Sequence, residues 1–269
     1  MDKATCKHEE GCPEEVHAKG YCKPHYARYF RHGDSAGGRH HYRLDEGFFD
    51  AVDTEAKAYW LGFINADGCV QLGKVGANGW QRNQLNVKLK ASDAAHLEKL
   101  KADMAAENPV YHVPQKGKAG PAAEIAMSSL HLVESLIRLG VTPRKSLTAT
   151  PWNGPDHLMR HYWRGMFDGD GTIVKHPDAR GKWHLRFLGS EACVEAFRVW
   201  AVPVCGSAAK VYPKGNIFSW TAGGLASPQA LARELYAGST VYLDRKYEIA
   251  GQLMTAPVRH RSWLERPAA

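Results

Sequence analysis

Two aspartates, each followed by glycine, stand 103 positions apart (170 minus 67) in matched surroundings. Tyr59-Trp-Leu-Gly-Phe-Ile-Asn-Ala-Asp-Gly68 and Tyr162-Trp-Arg-Gly-Met-Phe-Asp-Gly-Asp-Gly171 share one design. Each has Tyr-Trp, a Gly two residues on, two apolar residues, a short polar residue, a small residue and Asp-Gly. Each reads as a helix that stops at its aspartate. Thr54 or Asp53 can cap the first, Pro155-Asp156 can open the second, and the glycine after each Asp suits a left-handed C-terminal position. Gly62 with Ala66, and Gly165 with Gly169, put small residues at i and i+4, where two helix backbones can approach closely. Side by side, such helices bring Asp67 and Asp170 together at their C-terminal ends. A carboxylate is poorly placed there, because the helix dipole is already negative and the last carbonyls lack partners. Hard divalent cations between the two carboxylates, with the Ala66 and Gly169 carbonyls close by, make the arrangement favourable, and Mg²⁺ suits one or two carboxylates with water and phosphate oxygens. An EF-hand is excluded, since counting from Asp168 the sixth position is Ile173 and the twelfth is Ala179.

A second cluster offers softer ligands. Cys6, Cys12, Cys22 and His25 form two pairs that fit a closed tetrahedral Zn²⁺ site of three thiolates and one imidazole. A segment this short cannot fold on an apolar core, so a metal would supply its folding free energy. His8 and His17 are alternative ligands, and a metal-free cysteine-rich tail is the plain alternative. A short helix after the second pair carries Arg28 and Arg31. Cys69, Cys193 and Cys205 are scattered singly, which is no disulfide framework and suits a reducing cytoplasm.

The chain is 269 residues long and 44% hydrophobic, enough for one large or two modest cored domains. Its net charge of +7 points to an anionic partner, although many basic proteins only have solvated basic faces. No apolar run reaches membrane-spanning length, and the polar first residues read as neither signal nor transit peptide. The expectation is therefore an intracellular protein of a bacterial or phage-infected cytoplasm.

The elements that must position the aspartates repeat with them. After the first motif come a strand over 69–74 and a strand with Leu85, Val87, Leu89 and Ala91 on one face and Gln84, Asn86, Lys88 and Lys90 on the other. Amides and lysines on a solvated face can read base edges or meet phosphate. A helix capped by Ser92-Asp93, strands over 110–115 and 123–127, and a helix over 130–139 complete the unit. The second copy repeats this with strands over 172–175 and 183–188, where Lys182, His184 and Arg186 alternate with Trp183, Leu185 and Phe187. A helix capped by Ser190-Glu191 covers 194–201, strands cover 208–212 and 217–221, and a helix covers 227–236. Each repeat is thus αββαββα, an α+β unit. Residues 1–33 are expected to form a zinc module and 34–48 a basic Gly-rich linker. The repeats span 49–153 and 154–257, and 258–269 form a basic tail.

Both motifs resemble the LAGLIDADG motif of homing endonucleases, and the tandem arrangement resembles the family's single-chain members over about residues 49 to 255. The resemblance implies a pseudo-two-fold, monomeric endonuclease acting on double-stranded DNA, with Asp67 and Asp170 as the metal-binding acids. The sixth motif position, Asn65 or Asp168, varies within the family and is given no metal role. Lys145 and Lys246 match basic residues that approach the active site in the family; the plain alternative is that they cap helices. Gln71, Arg82 and Lys175 join the strand residues above as DNA contacts. Two saddles, each reading about nine base pairs, imply a long, near-asymmetric target of roughly 18 to 20 base pairs, cut to leave short 3′ overhangs. A non-cleaving RNA maturase or transcription regulator on the same scaffold is the competing reading. The small zinc module resembles those appended to phage and bacterial endonucleases.

Overall fold

A computed structural model describes residues 5–7, 12–32, 42–73, 83–115, 117, 120–176 and 182–257. The side chains of Arg28, Phe30, Arg31 and His32, although within a helix, lie outside that description, as do Arg82 and His8 altogether. The chain divides into two compact units, Met1–Arg43 and Leu44–Ala269.

In the first unit, short bridges pair Thr5 with Glu15 and Ala18 with Tyr21. Gly20, at φ +85°, makes the tight turn between the latter two, and its carbonyl accepts from the Lys7 amide at 2.8 Å. Helix α1 (Lys23–His32) follows directly on Cys22. Cys6 and Cys22 are buried, and the Cys22 amide donates to Cys6 Sγ at 3.2 Å.

The second unit holds the repeats. The first comprises α2 (Glu55–Asp67), β1 (Gly68–Leu72), β2 (Asn83–Lys90), α3 (Ala94–Asp103), β3 (Tyr111–Val113), β4 (Ala122–Met127) and α4 (Leu130–Arg138). The second comprises α5 (Asp156–Asp170), β5 (Gly171–Lys175), β6 (Trp183–Gly189), α6 (Glu191–Cys205), β7 (Tyr212–Lys214), β8 (Ile217–Gly224) and α7 (Ala226–Tyr236). The two antiparallel sheets have the same strand order, β1-β2-β4-β3 and β5-β6-β8-β7. This is the expected αββαββα repeat. An additional helix, α8 (Asp244–Met254), carries Lys246. Among the described residues, no helix is long and apolar enough to cross a membrane.

Alternation explains the layering. On β2, Leu85, Val87 and Leu89 are buried together with Val70, Ile125 and Met127 of the neighbouring strands, and Leu97, Leu100, Leu132 and Leu136 from α3 and α4 join the same core. Trp183, Leu185, Phe187, Trp220 and Phe197 do the same in the second repeat. Each sheet is covered by helices on one face, and the other face stays polar. Burying one such side chain stabilises by about 1.5–3 kcal/mol.

Several boundaries differ from expectation. Phe48 is buried beside Phe49 in the core of the second unit, so the last residue assigned to the linker packs with the repeats. Residues 208–211 are not a strand; β7 begins at Tyr212. Asp93 does not cap α3 with its side chain, because its carboxylate accepts instead from Arg245 Nε at 2.9 Å. Gly68 and Gly171 are extended (φ −77° and −88°) and not left-handed, since the chain runs straight from each helix into a strand. Glycine is needed there for space: a Cβ on Gly68 would lie 2.6 Å from the Ile64 carbonyl oxygen, and one on Gly171 would lie 2.3 Å from the Phe167 ring. The tail over 258–269 lies outside the described residues.

Candidate active site and nucleic-acid interface

Helices α2 and α5 cross through their glycines. A Cβ on Gly62 would sit 2.0 Å from the Tyr162 carbonyl oxygen, and one on Gly165 would sit 2.0 Å from that of Tyr59. Neither position can hold a side chain without separating the backbones. Further along, a Cβ on Gly169 would meet that of Ala66 at 2.3 Å and Asp67 Oδ2 at 3.4 Å. The expected small-residue faces therefore bring the two helix ends together.

The crossing is locked reciprocally. Tyr59 of α2 donates from its hydroxyl to Asp168 Oδ2 of α5 at 2.7 Å. In the mirrored position, Asn65 Nδ2 of α2 donates to the Tyr162 hydroxyl of α5 at 2.9 Å and to the Thr150 carbonyl at 3.0 Å. The tyrosine just before each nine-residue motif thus meets the sixth residue of the other motif. Asp168 is fully buried and also accepts from the Tyr236 hydroxyl at 2.6 Å and the Leu243 amide at 2.8 Å. His96 Nε2 lies 3.0 Å from the Tyr59 hydroxyl. Burial pushes His96 down to about 3, so it is neutral. The sixth motif position is structural in both copies, a role the sequence did not disclose.

Asp67 and Asp170 behave differently. Among the described residues, neither carboxylate accepts a hydrogen bond or forms an ion pair. Burial raises Asp170 to about 6, with the charge of Asp67 adding to the effect. Asp67 is also raised, first by desolvation, although it retains exposed surface, which limits that effect. Lys246 and Lys145 pull both carboxylates the other way without reaching them. A cavity of about 30 Å³ lies beside them, lined by Asn65, Ala66, Lys145 and Asp170 among others. Two unpaired, mutually repelling carboxylates in partly desolvated surroundings are a donor set suited to a hard divalent cation.

Both lysines are buried and face helix ends. Lys145 Nζ donates to the Gly68 carbonyl at 2.5 Å. Lys246 Nζ donates to the carbonyls of Phe167, Asp168 and Gly171 at 2.7, 2.6 and 2.6 Å, with that of Gly169 at 3.5 Å. Desolvation lowers both, Lys246 to about 8. They cap the ends of α2 and α5, satisfying carbonyls that the helices leave over. The segment leading to Lys246 is held in turn by the fully buried Arg164. Its Nε donates to the Val241 carbonyl (2.9 Å), its Nη1 to that of Leu235 (3.1 Å) and its Nη2 to Glu55 (2.7 Å).

The outward faces of the sheets carry most of the expected contacts. On the first, Gln71 pairs with Gln84 and Cys69 with Asn86; Lys88 lies 3.7 Å from Glu124, and Lys90 is opposite Ala122. On the second, Arg186 sits between Thr172 and Thr221 and donates from Nε to Thr221 Oγ1 at 3.3 Å. His184 contacts His176, ring nitrogen to ring nitrogen, at 3.1 Å, and Lys182 adjoins them through the bond from the His176 amide to its carbonyl. His176 and Glu124 were not foreseen. Lys175 is not on this face: it pairs with the buried Trp183 and holds its ammonium 5.8 Å from that ring, because strand parity sends it to the helix-covered side.

In the first unit, one ligand atom from each of Cys6, Cys12, Cys22 and His25 lies within 4.8 Å of all the others. Cys12 Sγ and Cys22 Sγ are 3.9 Å apart, and His25 Nδ1 is 3.1 Å from Cys22 Sγ and 3.3 Å from Cys6 Sγ. Two sulfurs bound tetrahedrally at Zn–S about 2.3 Å would be about 3.8 Å apart, so the cluster has the dimensions of a zinc site.

No family model and no curated protein matches the chain. Solved structures do. A point variant of I-SmaMI matches at 12% identity over 73% of this chain and 89% of its own, with a TM-score of 0.51. Mesophilic variants of the homing endonuclease I-DmoI match at 15% identity over 74% of this chain and 97% of theirs, also at 0.51. I-DmoI in complex with DNA and Ca matches at 15% identity over the same shares, at 0.50. The repeats have the fold of LAGLIDADG homing endonucleases.

Proposed function

We propose that this chain is a site-specific double-strand DNA endonuclease. The observation that carries the reading is the unpaired pair Asp67 and Asp170 at a backbone-to-backbone helix crossing, flanked by two outward sheet faces rich in amides and cations. I-DmoI, which shares the fold, is described in complex with DNA and Ca, and double-stranded DNA bound by a monomer of this chain fits the same reading.

Asp67 and Asp170 would hold divalent metal, Mg²⁺ in the cell, together with the Ala66 and Gly169 carbonyls. When bound, the metal would activate water for in-line attack on phosphate and stabilise the leaving 3′ oxygen. Lys145 and Lys246 act as positioning residues, fixing the helix ends that present the aspartates and adding positive charge near the phosphate. The sheet faces hold and read the duplex through Gln71, Gln84, Asn86, Lys88, Lys90, Lys182, His184 and Arg186. Zn²⁺ held by Cys6, Cys12, Cys22 and His25 would fold the first unit, and Arg28 and Arg31 of α1 are candidate phosphate contacts.

The test is an end-mapping digest of genomic DNA in Mg²⁺, with Asp67→Asn/Asp170→Asn protein as the control. One recurrent break with short 3′ overhangs, absent from the control, is expected. Tight binding to one DNA or to a structured RNA without any break would replace the reading with a non-cleaving one.

A further inference from the structure

Asn86 and Arg186 occupy the same place in the two sheets. Asn86 is the register partner of Cys69, two residues beyond Asp67, and Arg186 is the partner of Thr172, two residues beyond Asp170. Both point outward, because their strand neighbours Leu85, Val87, Leu185 and Phe187 are buried. They are the first outward residues on β2 and β6 level with the starts of β1 and β5, each strand start following directly on one of the two aspartates. Their chemistry is opposite. A carboxamide offers one donor and one acceptor, matching the N6 amino group and N7 of adenine; a guanidinium offers a fork of donors, matching O6 and N7 of guanine.

The surroundings reinforce the difference. Arg186 is held through Nε by Thr221 Oγ1, and Lys182, outward on the same strand side, adds a second cation to the face; His184, whose pKa burial lowers, adds a neutral ring. Among the described residues, no carboxylate lies on that face. Asn86 instead sits 3.4 Å from the Gln84 side chain, Nδ2 to Oε1, and the nearest cation outward, Lys88, is offset by Glu124.

Resting on the endonuclease reading, we infer that Asn86 and Arg186 make the target asymmetric at its two pseudo-equivalent inner positions, with adenine read by the first repeat and guanine by the second. The experiment is selection from a random-duplex pool with zinc-loaded protein in buffer free of both Mg²⁺ and chelator, so that nothing is cut and the first unit keeps its metal. It uses the full chain as wild type, Asn86→Arg, Arg186→Asn and Arg186→Lys. In the wild-type site, one inner position should be adenine and its pseudo-symmetric partner guanine. Asn86→Arg should shift the first towards guanine by about tenfold or more, and Arg186→Asn should shift the second towards adenine by as much. Arg186→Lys should keep guanine with weaker discrimination. A specific site whose inner positions ignore these substitutions would overturn the inference and leave the endonuclease reading standing. Failure of all four proteins to enrich any sequence would overturn both.

Discussion

The ends of α2 and α5 solve one geometric problem with different charges. At α2, the neutral amide of Asn65 bridges Tyr162 and the Thr150 carbonyl, and Lys145 makes a single bond to Gly68. At α5, the buried carboxylate of Asp168 gathers Tyr59, Tyr236 and the Leu243 amide, and Lys246 spans the Phe167, Asp168 and Gly171 carbonyls. A buried acid has been matched by a more deeply embedded base; where the acid is absent, the lysine is held more loosely. What both ends share is Asp67 or Asp170 left without a partner. The paired, buried groups build the site, and the unpaired ones are left to do chemistry.

The comparison is broken most severely at the unpaired pair. Asp67→Asn or Asp170→Asn should lower double-strand cleavage by at least about 100-fold while leaving duplex affinity within a few-fold, as read by gel shift. Either variant cutting at the wild-type rate would remove that aspartate from the site.

The next effect separates the two sixth positions. Asp168→Ala strands two tyrosine hydroxyls, the Leu243 amide and the charge of Lys246, and should cost about 3–5 kcal/mol in urea unfolding. Asn65→Ala should cost only about 1–3 kcal/mol. Equal costs would mean that the buried charge is not what distinguishes the ends.

Gly62→Ala and Gly165→Ala place a methyl against the opposing backbone at the same distance, so they should destabilise alike, by about 1–3 kcal/mol or somewhat more. A large difference between them would show that the crossing is less symmetric than its contacts.

Proton linkage gives a smaller effect. The carboxyl of Asp170 lies near 6 in the fold against an ordinary 3.8, so the metal-free fold loses stability as pH rises through about 6. A cation on the ionised pair reverses that loss. The rise in Tm produced by Mg²⁺ should therefore be larger at pH 8 than at pH 5, as read by thermal melts; an equal rise would place the bound cation elsewhere.

The least effect on the repeats belongs to Cys22→Ser. It should abolish stoichiometric zinc while leaving the main unfolding transition unmoved, and retained zinc would change the ligand set.

Much of this was legible in the sequence because it is periodic or repeated. The alternation of Leu85, Val87 and Leu89 marks a half-buried strand, and two copies of Tyr-Trp-x-Gly ending in Asp-Gly mark a helix pair. What stayed hidden depends on partners far away in the chain. Asp93 looks like a cap until Arg245, 152 residues on, takes its carboxylate. Nothing in the sequence marks Arg164 as buried; its partners Glu55, Leu235 and Val241 lie 71 or more residues away. Helix α8 was hidden because its few buried residues, Lys246, Ala250 and Leu253, include a lysine where an apolar residue would be sought. The place of Lys175 was hidden for a simpler reason: its parity, which puts it opposite Trp183, shows only once the strand register is known.

The most direct test of the central claim, that Asp67 and Asp170 form one metal centre, is a Mn²⁺ titration followed by electron paramagnetic resonance. It would use zinc-loaded protein bound to the duplex recovered from the digest, comparing wild type with Asp67→Asn/Asp170→Asn. Binding by the wild type that is lost in the variant is expected. Equal uptake by both proteins would contradict the account.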